Sequence, residues 1–108
     1  MEIITLYPFR KCRYEINEGL VTLLFKNPKP SFIDRTFFKK SLEKDIKVDL
    51  DEIGSFIWLL CDGKITVNEI ILIARDKFQD KIEPAEQRIV KFINQMVNKK
   101  FIRLYEKI

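Results

Sequence analysis

The stretch from Val48 to Ile70 constrains the fold more than any other part of the chain. It sets a strand exit, two helix starts and a tight stop within 23 residues. Asp49 or Asp51 can cap a helix whose first turn carries Glu52, where a carboxylate meets the positive end of the helix dipole. Ile53, Phe56, Ile57 and Leu60 then recur at helical spacing, and Asp62-Gly63 closes the helix with the residue best suited to left-handed backbone. Thr66 opens a second helix with Glu69 three residues on, the pairing of a capping box. The predicted spans are 51–61 and 67–78. A third helix starts near Pro84, a favoured first-turn residue between Glu83 and Glu86, and runs to about Lys99. Its buried stripe is Ile89, Phe92, Ile93, Met96 and Val97.

Upstream, residues 13–16 and 20–25 are β-branched and aromatic runs on either side of Asn17-Glu18-Gly19, a hairpin signal with Gly19 able to take positive φ. The second run is almost wholly apolar and belongs at the centre of a sheet. Residues 45–50 alternate, with Ile46, Val48 and Leu50 on one side and Lys47 and Asp49 on the other. That pattern predicts a half-buried strand with one wet face. Residues 1–10 read as a loosely held arm with a short extended piece at 3–6. Residues 27–44, broken by Pro28 and Pro30, read as a long loop or an irregular strand. Residues 101–104 alternate again, as a short closing strand or an extended tail docked on the core. The length of 108 residues predicts one domain over 1–108, with an arm to residue 11, a sheet over 12–50, helices over 51–100 and a tail over 101–108.

Much chemistry is excluded by composition. The chain has no histidine, which removes the commonest general base and the commonest metal ligand together. Three glycines, at 19, 54 and 63, are too scattered to cradle a phosphate. Ser31, Ser41 and Ser55 lack an activating partner at a motif spacing. The carboxylates of Asp49, Asp51 and Glu52 are explained by helix capping, and Asp62 by the turn before Gly63. Neither an enzyme, a cofactor nor a metal is expected. Cys12 and Cys61 lack a Cys-x-x-Cys spacing and sit among apolar neighbours, so both read as small buried hydrophobes. The longest apolar run, residues 56–61, is far below the ~20 residues a membrane span needs. The N-terminus lacks the basic start and apolar core of a signal peptide, which makes the cytoplasm the expected address. Net charge is +4, with ten basic and seven acidic residues in 1–50 against ten and nine in 51–108. So mild an excess favours an acidic partner modestly and does not announce nucleic acid.

A set of residues carries a family resemblance. Leu50-Asp51-Glu52-Ile53-Gly54, then Trp58, then Cys61-Asp62-Gly63, then Thr66-Val67-x-Glu69-Ile70 resembles the PqqD-like family. That family is named for coenzyme PQQ synthesis protein D, and its domain is also called the RiPP precursor peptide recognition element. Phe78 at the end of the second helix, Phe92-Ile93 on the third and the Lys99–Ile102 ending fit the same pattern. The likeness extends over roughly residues 12–105 and is dense from 48 to 104. The chain departs from it at 27–44, which look longer than in a minimal member.

The resemblance implies an α+β, winged-helix-like fold, with a three-stranded antiparallel sheet followed by three helices. It also implies a non-catalytic adaptor that captures the leader segment of a ribosomally made precursor peptide and presents it to a modifying enzyme, often a radical S-adenosylmethionine protein. In the family the leader adds as an extra strand beside the third strand, in a cleft closed by the third helix. Here that strand is Asp45, Ile46, Lys47, Val48, Asp49 and Leu50, whose edge would offer backbone donors and acceptors. On the third helix Arg88, Phe92, Gln95 and Lys99 form one stripe, an apolar anchor among cationic and amide groups suited to an acidic, amphipathic leader. A proline at Val48 is expected to abolish leader binding by removing one backbone donor. Trp58 reads as core rather than as a peptide platform. An exposed edge could also pair two copies of the chain. The alternative is a winged-helix DNA-binding regulator, which a third helix carrying Gln87, Arg88, Lys91, Asn94, Gln95, Asn98, Lys99 and Lys100 does not exclude. The near-balanced C-terminal half and the lack of a basic, Gly-rich wing argue against it.

Overall fold

In the computed structural model, which describes residues 3–26 and 45–106, Asp51 rather than Asp49 caps the first helix. The Gly54 N–H donates to the Asp51 carboxylate at 2.7 Å, and helix α1 runs Glu52–Leu60. Asp49 has a different partner: its carboxylate accepts from the Thr22 hydroxyl at 2.7 Å, across two strands. The helix stop also differs from the expected one. Cys61 occupies the cap with negative φ, and the left-handed residue is Gly63, two positions on. Asp62 between them bridges to Phe9, and the Gly63 N–H donates to Pro8 O at 2.9 Å.

Thr66 caps helix α2 (Val67–Phe78) with both arms of the capping box closed, Glu69 N to Thr66 Oγ1 at 3.2 Å and Thr66 N to Glu69 Oε1 at 2.9 Å. A 3-10 turn, Gln79–Ile82, leads to helix α3 (Ala85–Asn98). Pro84 stands at its cap rather than inside its first turn, and the Ala85 N–H is taken by Glu83. That bond, and then the Arg75 guanidinium 3.1 Å away, hold the Glu83 carboxyl below its ordinary value. The end of α3 is a Schellman motif, with Phe101 N donating to Met96 O and Lys100 N to Val97 O. Lys100 takes the left-handed position, φ 65°, where glycine is the usual occupant.

The fold is mixed α+β, with these three helices beside a three-stranded antiparallel sheet. Its strands are β2 (Arg13–Asn17), β3 (Leu20–Lys26) and β4 (Asp45–Asp49), in that order, so β3 is central as its apolar run requires. Glu18 and Gly19 both have positive φ, the signature of the two-residue hairpin turn that matches strand twist. The connection expected over 27–44 lies outside the described residues.

The N-terminal arm is not loose. Residues Ile3–Thr5 form a 3-10 turn, and β1 (Tyr7–Arg10) pairs antiparallel with β5 (Ile102–Tyr105) in a second, two-stranded sheet. Backbone bonds from Arg10 to Cys61, Lys11 to Phe101, Gly63 to Pro8 and Val67 to Leu6 bind this segment to α1, α2 and the end of α3.

The core lies between α1–α3 and the inner face of β3. Trp58, Ile57, Ile70, Ile71, Ile89 and Ile93 meet Val21 and Leu23 there, all buried. Each such side chain contributes roughly 1.5–3 kcal/mol of burial. Trp58 is core, edge-on to Tyr14 at 5.9 Å, and its Nε1 finds no hydrogen-bond partner among the described residues. Ser55 is buried as well: its hydroxyl accepts from Val21 N at 2.8 Å and reaches Leu50 O at 3.3 Å, fastening α1 to the sheet. Cys61 is fully buried, which pushes its thiol up to about 12, whereas Cys12 is only half-buried. No helix of the described residues is long and apolar enough to cross a membrane.

Candidate functional site

β4 is an edge strand. Its partner is β3, and among the described residues nothing pairs with its other side. The expected half-burial does not occur: Ile46, Lys47, Val48 and Asp49 are all exposed, and the core begins at Leu50. The register nevertheless gives Ile46 and Val48 a side. They stand opposite Phe25 and Leu23, and cross-strand partners share a face of the sheet. Leu23 is buried in the core, so Ile46 and Val48, each 38 % exposed, continue the apolar face beyond the part that is covered.

The same register settles which backbone groups are free to recruit a strand. Leu50 N–H donates to Val21 O at 2.8 Å, so this pair is of the hydrogen-bonded kind. In antiparallel pairing the kinds alternate, which turns the polar groups of Val48 and Ile46 toward β3 and those of Lys47 and Asp49 outward. The donor that a proline must remove is therefore that of Lys47. At Val48 a proline would cut the ladder of the sheet itself, contrary to the expectation from sequence.

Beside the end of β4 lies a cleft of about 420 Å³. Asp49, Leu50 and Asp51 form one wall, Ile53, Gly54 and Ile57 of α1 its floor, and Arg88, Phe92, Gln95 and Met96 of α3 the other wall. Gly54 makes room for it. A Cβ there would stand 3.1 Å from the Asp51 carboxylate and 3.4 Å from the Phe92 ring, so a bare backbone lets the cap and the ring approach. Arg88 is fixed at the rim by donating to Lys81 O at 2.9 Å and is, among the described residues, the one cation lining the cleft. The wall facing it is acidic, but Asp49 and Asp51 already accept from Thr22 and Gly54.

Of the residues singled out in sequence, the structure brings together Asp49, Leu50, Arg88, Phe92 and Gln95 around this cleft, with Val48, Lys47, Ile46 and Asp45 following along β4. Lys99 is not among them. It lies a turn beyond Gln95 and lines a separate cavity with Lys11, Cys12 and Phe25, so the stripe on α3 divides between two clefts. Sequence reasoning missed Asp51, Ile53, Gly54, Ile57 and Met96 as lining residues. Gly54 carried a signal: a glycine inside a helix costs about 1 kcal/mol against alanine, and here the compensation is the close approach of Phe92. Among the described residues no group of three or more His, Cys, Asp or Glu side chains is placed to hold a metal ion.

No curated protein and no solved structure matches the chain. The family model for coenzyme PQQ synthesis protein D matches residues 41–102, which take in β4, all three helices and the first residue of β5. With more than half of its length matched, and with strand, cap and cleft residues all inside the match, the chain belongs to the PqqD family.

Proposed function

We propose that this PqqD-family protein is a non-catalytic peptide-binding adaptor acting in peptide modification, and that its ligand is the leader segment of a ribosomally made precursor. The leader adds as a strand beside β4, bonding to the outward groups of Lys47 and Asp49. Its alternate side chains cover Ile46 and Val48, and the end of the segment enters the cleft against Phe92, with Gln95 and Arg88 meeting its polar groups. The adaptor then presents the bound precursor to a modifying enzyme, in the family's pattern a radical S-adenosylmethionine protein. One observation carries the reading: a strand edge that nothing pairs with among the described residues, whose core-facing Ile46 and Val48 are exposed and lead into a cleft floored by a helix glycine.

The test is a nuclear magnetic resonance titration with leader peptides taken from short precursor frames encoded beside the gene. Amide shifts confined to residues 46–50 and 88–95 are expected. Lys47→Pro should weaken binding at least ~5-fold, since one backbone hydrogen bond is worth about 1 kcal/mol, while circular dichroism stays unchanged. No leader binding at high micromolar concentration, together with salt-dependent binding of duplex DNA, would overturn the reading in favour of a DNA-binding regulator.

A further inference from the structure

The cavity that takes Lys99 is a second site, built unlike the first. It measures about 490 Å³ and lies on the β2 side of β3, with no residue of β4 in its lining. Its floor is apolar: Leu24, Cys12 and the rings of Phe25 and Phe101, whose centroids are 4.7 Å apart. Its rim is cationic, with Lys11, Arg13, Lys99 and Lys100. An adjoining cleft of about 590 Å³ shares Lys11 and Lys100 and adds Arg103. Among the described residues no carboxylate lines either one. In a chain with a net charge of only +4, five cations thus gather at one pole.

Helix electrostatics accounts for only part of this. Lys99 and Lys100 complement the negative end of α3, but Lys11 and Arg13 come from the strand side and Arg103 from β5. Lys11 is also positioned, its Nζ 4.9 Å from the Phe9 ring centre and 5.8 Å from that of Tyr105. Lys100 is the more telling residue. It holds the left-handed Schellman position, φ 65°, where a side chain is strained and glycine is favoured. A lysine kept there stands on the rim of both clefts.

We infer that this pole binds an acidic peptide segment of a partner protein, one that places a single bulky apolar side chain on Phe25 and Phe101 while its carboxylates meet Lys11, Lys99 and Lys100. The aromatic floor favours such a segment over a nucleic acid backbone, which would use the rim and leave the floor empty. The site shares no lining residue with the leader cleft, and Phe25 is its nearest point to β4, standing opposite Ile46.

The probe is the acetylated octapeptide amide Asp-Glu-Asp-Phe-Leu-Glu-Asp-Glu, titrated into the full chain. Amide shifts at residues 11–13, 24–25 and 99–101, and none at 47–49, are expected. Lys100→Gly removes a rim charge and relieves the backbone, so it should melt higher yet bind about threefold more weakly, the effect of one solvent-facing charge pair. Lys11→Glu, on a different element, should weaken binding more, and replacing the probe's Phe and Leu by Ala should abolish the shifts at Phe25 and Phe101. The inference is overturned by unchanged affinity in Lys100→Gly, by shifts centred on β4, or by no shift at 99–101 at millimolar probe. It is equally overturned if a short DNA duplex or anionic lipid vesicles displace the probe at lower concentration than the unlabelled probe does.

Discussion

Single residues decide how open the cleft is. Gly54 sits where any side chain crowds both the Asp51 carboxylate and the Phe92 ring. Gly54→Ala should gain about 1 kcal/mol of helix propensity and lose a similar amount to crowding, leaving stability within ~1 kcal/mol of the parent. Leader binding should fall all the same, because the methyl group displaces Phe92; thermal melts and a titration separate the two effects. Cys61 offers a second check. Its thiol is pushed up to about 12 by burial, against an ordinary value of 9.0. A value raised by folding adds stability that is complete below pH 9 and is lost as pH climbs toward 12. At pH 8, iodoacetamide should therefore modify half-buried Cys12 first and reach Cys61 only through unfolding, as mass spectrometry over time would show.

At the scale of elements, the joint between α1 and the sheet rests on Ser55. Its hydroxyl serves the Val21 N–H and the Leu50 carbonyl, both buried. Ser55→Ala leaves those groups unpaired and should cost about 2 kcal/mol in a denaturant melt, more than the loss of an exposed hydroxyl. The sequence made the helices legible because their signals are local: an Asx cap, a capping box and apolar residues at helical spacing all lie within a few positions of each other. β3 was legible through its continuous apolar run. β1 was not, since its four residues include Pro8 and its partner lies at the far end of the chain, so nothing local marks the pairing. The cleft was half legible. Phe92, Gln95 and Arg88 could be placed on one helix face by spacing, but nothing in that spacing tells where α3 leaves the first cleft, and Lys99 fell on the other side of that boundary. Choosing Lys47 over Val48 as the outward donor needed the register, which alternation alone does not supply.

For the whole molecule, the two sheets divide the labour. The three-stranded sheet carries the β4 edge, unpaired among the described residues, and the two-stranded one draws residues 6–11 against α1, α2 and the turn after α3. A chain lacking residues 1–10 should lose at least ~3 kcal/mol, because the β1 ladder, the buried Pro8 and the bonds to Gly63 and Val67 disappear together. Chemical denaturation of the shortened chain, read by Trp58 fluorescence, measures the loss. An arm with no structural part would leave the midpoint unmoved. The exposed Arg75–Glu83 pair adds little by comparison, since both side chains stay in solvent, where ion pairing is weak and screened.

Tyr7 and Tyr105 are cross-strand neighbours, their α-carbons about 5 Å apart, so the first and last strands of the described fold lie side by side, with only the turn Ile3–Thr5 and Leu6 before them. A domain with such a doorway can be spliced into a loop of a host protein, both seams falling together on the side of the small sheet. The β4 edge belongs to the other sheet and the cleft to α1 and α3, so among the described residues neither is touched by such a seam.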